Sequence, residues 1–263
     1  ATESGETLGE AGGLLQMSDA QLGNLGRSGS FVGISDAALD PHDPHRVDQA
    51  YANTEMAHPL RSNKFPFEIE LLVNGNPVRL DFKDIPAVNG QGLLRSECKL
   101  QVSKGDRVAI KVRSNYLVPS PKNQQINVVD KAANRVGMRL LIDGFNSLGQ
   151  KRSLLDDGRL WVLEQGENYK IDGYYVPLAD PTPGGKNYKH IPFKIVDVDK
   201  SVAARESFTD QIGLISFAFF ENAGRGVAFG EDGQNITEEK LKPVSFLRGR
   251  CLAVFHIRYV EAE

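Results

Sequence analysis

Two cysteines, one tryptophan and three methionines are all that 263 residues hold of those types. So few cysteines exclude a disulfide-rich scaffold, and no Cys-x-x-Cys pair is there to build a zinc ribbon. No stretch approaches the roughly 18 consecutive apolar residues of a membrane helix, so no membrane span is read. Lysine and arginine (31) do not outnumber aspartate and glutamate (34), and they are scattered, which leaves no footprint for nucleic acid. G-x-S-x-G, H-E-x-x-H, HRD and DFG motifs are missing, so no enzyme is read and no cofactor is expected. What remains is 40% hydrophobic and 25% charged, an ordinary globular balance with enough chain for a full core.

Charge is unevenly spread. Residues 1–60 carry nine acidic side chains against Arg27 and Arg46, a net of −7, which leaves 29 basic and 25 acidic in the rest, a net of +4. The first 35 residues hold eight glycines and a single aromatic, Phe31. Such a segment buries too little apolar surface to offset the entropy of ordering it. Asp43-Pro44 reads as a helix cap and first helical position, with Val47, Ala50, Tyr51 and Thr54 following at helical spacing. The expectation is an extended acidic arm over 1–60 with a short helix near 44–57.

From Phe65 onward the texture is that of strands. Glu68–Val73 and Val78–Phe82 flank Asn74-Gly75-Asn76, a hairpin signal. Further strands are expected over 97–103, 107–113, 136–143, 160–164, 168–176, 191–198, 211–220 and 250–260. Val108, Ile110 and Val112 alternate with polar residues, whereas Ile212–Phe220 is nearly all apolar, as a strand covered on both faces would be. About ten strands without long alternating helices predict an all-β chain. The expected body over 61–263 is an antiparallel β-sandwich, jelly-roll or immunoglobulin-like, with long loops at 114–135 and 221–249.

Cys98 shares a strand face with Leu100 and Val102, and Cys251 with Ala253, Phe255 and Ile257, so both thiols are expected in the core. Two buried thiols and one Cys98–Cys251 disulfide both satisfy this pattern; the bond would contribute ~3–5 kcal/mol. His42 and His45 flank the helix cap, and Asp197 and Asp199 share a strand face. These four are weak metal candidates, since capping and turn chemistry also account for them. Asp199 is read as the cap of a short helical turn over Ser201–Arg205. Asp156-Asp157-Gly158 and Glu231-Asp232-Gly233 read as turns. Gly224–Gly230 has G-x-G-x-x-x-G spacing followed by acids that would repel phosphate, so a loop is the better reading. His58 and His190 read as surface residues, and His256 as lying on the polar side of the last strand. Trp161, Tyr174 and Tyr175 are a candidate ligand face for stacking on sugar rings, because adjacent tyrosines on a strand point to opposite sides.

Val136–Ser147, Phe193–Phe220 and Leu252–Val260 together resemble an uncharacterised domain of exported bacterial proteins, sometimes attached to serine/threonine kinase homologues. The resemblance covers residues 100–260. It implies an accessory β-sandwich and transfers no catalytic residue. The sequence opens at Ala1 rather than Met, which suits a mature exported chain, and an extracellular or cell-surface location is expected. The functional expectation is a non-enzymatic structural protein that self-assembles through its arm into a filament or other homo-oligomer. Leu14, Leu15, Leu22, Leu25, Phe31, Val47 and Tyr51 are the expected contacts. The alternative is an accessory module that binds a surface glycan or protein; an uncharacterised hydrolase comes third.

Overall fold

Asn74 and Gly75 both adopt positive φ, 53° and 84°. That is the two-residue turn whose twist matches paired strands. It joins β1 (Phe67–Val73) to β2 (Asn76–Pro77), which is only two residues long. The computed structural model describes residues 58–61, 65–85, 95–117, 134–153, 159–180, 183, 185–208, 211–222, 231–236 and 241–262. Residues 1–57 of the arm, with its expected helix and contact residues, His42 and His45, lie outside these.

The fold is all-β, and the described residues form three sheets. The first runs β2-β1-β5-β9, with β5 spanning Val108–Ser114 and β9 Asn168–Ile171. A ribbon pairs β10 (Gly173–Pro177) with β11 (Tyr188–Pro192). The largest sheet uses β3 (Asp81–Ile85), β4 (Arg95–Val102), β6 (Val136–Ile142), β7 (Phe145–Asn146), β8 (Leu160–Leu163) and β12 (Leu214–Asn222). It is completed by β13 (Glu231–Ile236), β14 (Leu241–Phe246) and β15 (Arg248–Glu261). Their order is β14-β13-β8-β6-β12-β15-β4-β3, with β7 beside β6.

Four details depart from the expected plan. Two joins, β8/β13 and β4/β15, are parallel, so the large sheet is mixed. Residues 81–85 leave the hairpin and pair with β4 instead, because the β1 turn closes after two residue pairs and frees the chain to cross layers. The stretch 221–249 is not one long loop: it contains β13 and β14, so Glu231-Asp232-Gly233 lies in a strand rather than a turn. The strand expected over 168–176 is two strands broken at Asp172.

The large sheet packs face to face on the first one. Phe67 of β1 stacks on Phe219 of β12 at 3.9 Å between ring centres and 10° between planes, and Phe217 stacks on Phe255 at 4.8 Å. Such rings bury large apolar areas and favour offset contacts. Alternation sends Ile215, Phe217 and Phe219 into this core, while Ser216 and Ala218 face the other way and are also buried. Both faces of β12 are therefore covered, as its unbroken apolar run predicts. Past β11 the chain stays in register with the small sheet: the Val108 amide donates to the Phe193 carbonyl at 3.1 Å and the Ile195 amide to the Asp106 carbonyl at 2.9 Å. The segment then leaves the sheet, makes a 3-10 turn at Val198–Lys200 and one helical turn, α1 (Val202–Arg205). Ser201 caps α1 by accepting from the Ala204 amide at 3.0 Å, the role expected of Asp199.

The two cysteines are not bonded. Cys98 is a buried free thiol, which burial pushes up to about 12. The parallel pair sets Arg258 opposite Lys99, so one place earlier Cys98 is level with Ile257. Cys251 lies six residues up β15 from there, about 20 Å at strand rise, far beyond disulfide reach.

Candidate functional site

The departing segment 194–202 does not seal onto the large sheet. Between them lies a cavity of about 260 Å³ at one end of the sandwich. Leu100 of β4, Ile142 of β6, Ile215 of β12 and Tyr259 of β15 line it from the sheet side. Val108, Phe193 and Ile195 close it from the small sheet, and Val196, Val198 and Val202 from the departing segment. Protein interiors are packed nearly as densely as organic crystals, so a void of this size is not ordinary core.

At its inner end sits Asp143. It begins the turn between β6 and β7, with φ 53°, and Gly144 follows at 81°. Asp-Gly is the favoured pair for such a turn, since both residues need the left-handed region. The turn is held by the Asp143 amide donating to the Leu214 carbonyl at 2.9 Å. The carboxylate accepts from the Gly213 amide at 2.9 Å and from the Tyr259 hydroxyl, 2.7 and 2.8 Å from its two oxygens. Burial pushes this carboxyl up to about 6, while these hydrogen bonds pull it down. Burial also pushes the Tyr174 and Tyr259 phenols upward, and the Asp143 charge adds to both shifts. Tyr174 packs edge-on against Phe193 at 5.0 Å and hydrogen-bonds the Ile142 carbonyl. A carboxylate has about four acceptor positions, so Asp143 retains capacity for a donor arriving from the cavity.

The mouth is different in chemistry. Lys194, Lys200 and Arg205 line it, and all three are exposed. Asp197 is bound by Lys104 at 2.6 Å and by Lys200 at 3.2 Å, and these ammonium groups hold its pKa down. Two cations already hold this carboxylate. Among the described residues no three His, Cys, Asp or Glu side chains are placed to share a metal, so neither Asp197 nor Asp199 belongs to such a group.

Trp161, Tyr174 and Tyr175 do not make an open ligand face. Trp161 is 2% exposed and each tyrosine 6%. The two sides of β10 are both covered: Tyr174 turns to the cavity, and Tyr175 packs on Trp161 at 5.3 Å and under His190 at 4.8 Å. Asp172 ties this second cluster together, accepting from the Tyr175 hydroxyl at 2.8 Å and lying 2.8 Å from His190 Nε2.

Two histidines are placed otherwise than expected. His58 is fully buried, edge-on to Phe82 and Phe255 at 5.4 and 5.5 Å. Its Nε2 donates to the His256 carbonyl at 3.0 Å, and its Nδ1 accepts from the Leu60 amide at 3.3 Å. One nitrogen must carry hydrogen and the other must not, so the geometry selects the neutral ring. His256 is buried too, because the outer face of β15 is covered, and its Nδ1 lies 2.8 Å from the Ser216 hydroxyl. This serine–histidine pair is 2% and 6% exposed, closed to any substrate in this conformation. The sequence does not single out Asp143, Tyr259 or Ser216, and it assigns His58 and His256 to polar surroundings. The available signals are the Asp-Gly dipeptide, and the Ser216–His256 alignment once β12 and β15 are taken as neighbours.

Comparison of the chain with protein-family models, with curated proteins and with solved structures returns no match.

Proposed function

We propose that this chain is a non-enzymatic binding module of an exported or cell-surface system, and that its interlayer cavity is the binding site. The observation that carries this reading is a largely apolar space of about 260 Å³ around a buried carboxyl. Its size lies near the lower end of ligand pockets, and apolar cavities of about 150 Å³ already accept benzene. A glycan fits this lining less well than an apolar ligand, because aliphatic side chains make up most of the walls. A small, mainly apolar ligand fits it well.

Val202 lies on the wall formed by α1 and is partly buried, so a larger ring at this position projects into the space. Val202→Phe should abolish binding of a fluorescent apolar probe while leaving the melting temperature unchanged or raised. Equal probe binding by parent and variant would place the ligand elsewhere and remove this reading.

A second reading is favoured by the net of −7 in residues 1–60 against +4 in the remainder. In it, the arm of one copy docks on the body of another, and the chain is a structural homo-oligomer. Opposite charges at short range support such docking, within a screening length of about 8–10 Å.

A further inference from the structure

The cavity reading can be carried to a ligand class, and this step rests on that reading. We infer that the ligand is an amphiphile: a short alkyl or acyl chain inside, ending in a single anionic headgroup at the mouth. The geometry supplies both halves. Inside, aliphatic side chains dominate the walls. The length is limited, since about 260 Å³ lies just below the usual range of ligand pockets.

The charge at the mouth decides the head. Of the three cations there, Lys200 already pairs with Asp197, which Lys104 also binds. Lys194 and Arg205 have no carboxylate partner among the described residues. Arginine and lysine are good partners for carboxylate, sulfate or phosphate. Between these cations the lip carries Val196 and Val198, 40% and 58% exposed, two of the four large hydrophobics that stand open to solvent among the described residues, along with Asp197, which its two lysines already neutralise. Exposed valines beside unpaired cations match a molecule that is greasy along its length and negative at one end. Asp143 does not oppose this arrangement. It lies at the inner end, where Tyr259 and Gly213 already donate to it, while the cations lie at the exposed end.

The test uses the full chain and four probes: octanoate, octanol, octylamine and palmitate, each titrated against a bound fluorescent apolar dye. Octanoate should displace the dye at least tenfold more effectively than octylamine, and palmitate should compete poorly because its chain exceeds the space. Lys194→Gln combined with Arg205→Gln should weaken octanoate about tenfold and leave octanol unchanged. If octanol or octylamine equals octanoate, or the double variant binds octanoate like the parent, the anionic headgroup is refuted while the cavity reading stands. Palmitate binding as tightly as octanoate would overturn the short chain. If none of the four displaces the dye, the cavity reading itself falls. Both substitutions lie on exposed side chains, so folding is not at stake.

Discussion

Three buried titrating groups pull the stability of this chain in opposite directions as pH changes. Burial lowers His58 to about 4 and His256 to about 3, from 6.5. Their contribution is complete above pH 6.5 and is lost progressively as pH falls from there through the folded values, because the unfolded chain then binds protons that the folded one refuses. Asp143 has the reverse sign: raised from 3.8 to about 6, it favours folding below pH 4 and loses that contribution as pH climbs through 6. Between pH 4 and 6 two protons oppose one, so stability should fall on acidification by about 1.4 kcal/mol per pH unit. Asp143→Asn removes the opposing group, and asparagine tolerates the left-handed backbone at this turn. The variant should match or exceed the parent at pH 8 and lose about 2.7 kcal/mol per pH unit on the acid side. Urea melts across this range measure both slopes. Parallel slopes for the two proteins would show that Asp143 is not the buried acid.

At the scale of single elements, the β6–β7 turn is where the fold and the cavity meet. Gly144 has φ 81°, and a Cβ there would stand 2.5 Å from Phe208 Cε1 and 2.9 Å from Gln211 Oε1. Backbone strain and overpacking add at one atom, so Gly144→Ala should cost roughly 2–4 kcal/mol and lower the denaturation midpoint. A chemical denaturation curve checks it; a loss below about 1 kcal/mol would mean the turn relaxes freely. This turn also shows why the site is hard to read from sequence. Asp143-Gly144 looks like any turn dipeptide, and nothing local says that its carboxyl points inward. Elements with a clean period are legible. Val108, Ile110 and Val112 announce β5, and the unbroken apolar run of β12 announces burial on both faces. Gly233, Asn235 and Pro243 are poor strand residues, so β13 and β14 are hidden and their stretch reads as a loop. His58 has no periodic neighbours at all; its burial arises only when β15 and Phe82 close around it. Tyr174 and Tyr175 are misleading for a related reason: alternation assigns opposite faces but is silent on whether both are covered.

On the scale of the whole molecule, the free edges bear on the two functional readings. The outer strands of the two larger sheets are β14, β3, β2 and β9, and these contain Lys242 with Pro243, Lys83, Pro77 and Lys170. Proline and lysine on edges discourage further strand pairing. Assembly by strand addition is therefore the weaker version of the oligomer reading, and docking of the acidic arm on a face of the body is the stronger one. Replacing the arm's nine acidic residues by their amides should return an oligomer to monomer size in light scattering, as should deletion of residues 1–57. A parent chain that is already monomeric at high concentration would end the oligomer reading and leave the cavity reading untouched.

The position of β15 carries one more consequence. It enters the large sheet between β12 and β4, so residues 248–261 are what joins the β3–β4 pair to the rest of that sheet. A ribosome that has not yet reached them has produced two groups of strands with nothing to join them, and Phe217, Phe219 and Leu100 still lack their neighbour. Closure of the large sheet must wait until residues 248–261 have been made, and every nascent form shorter than that offers chaperones a bare seam.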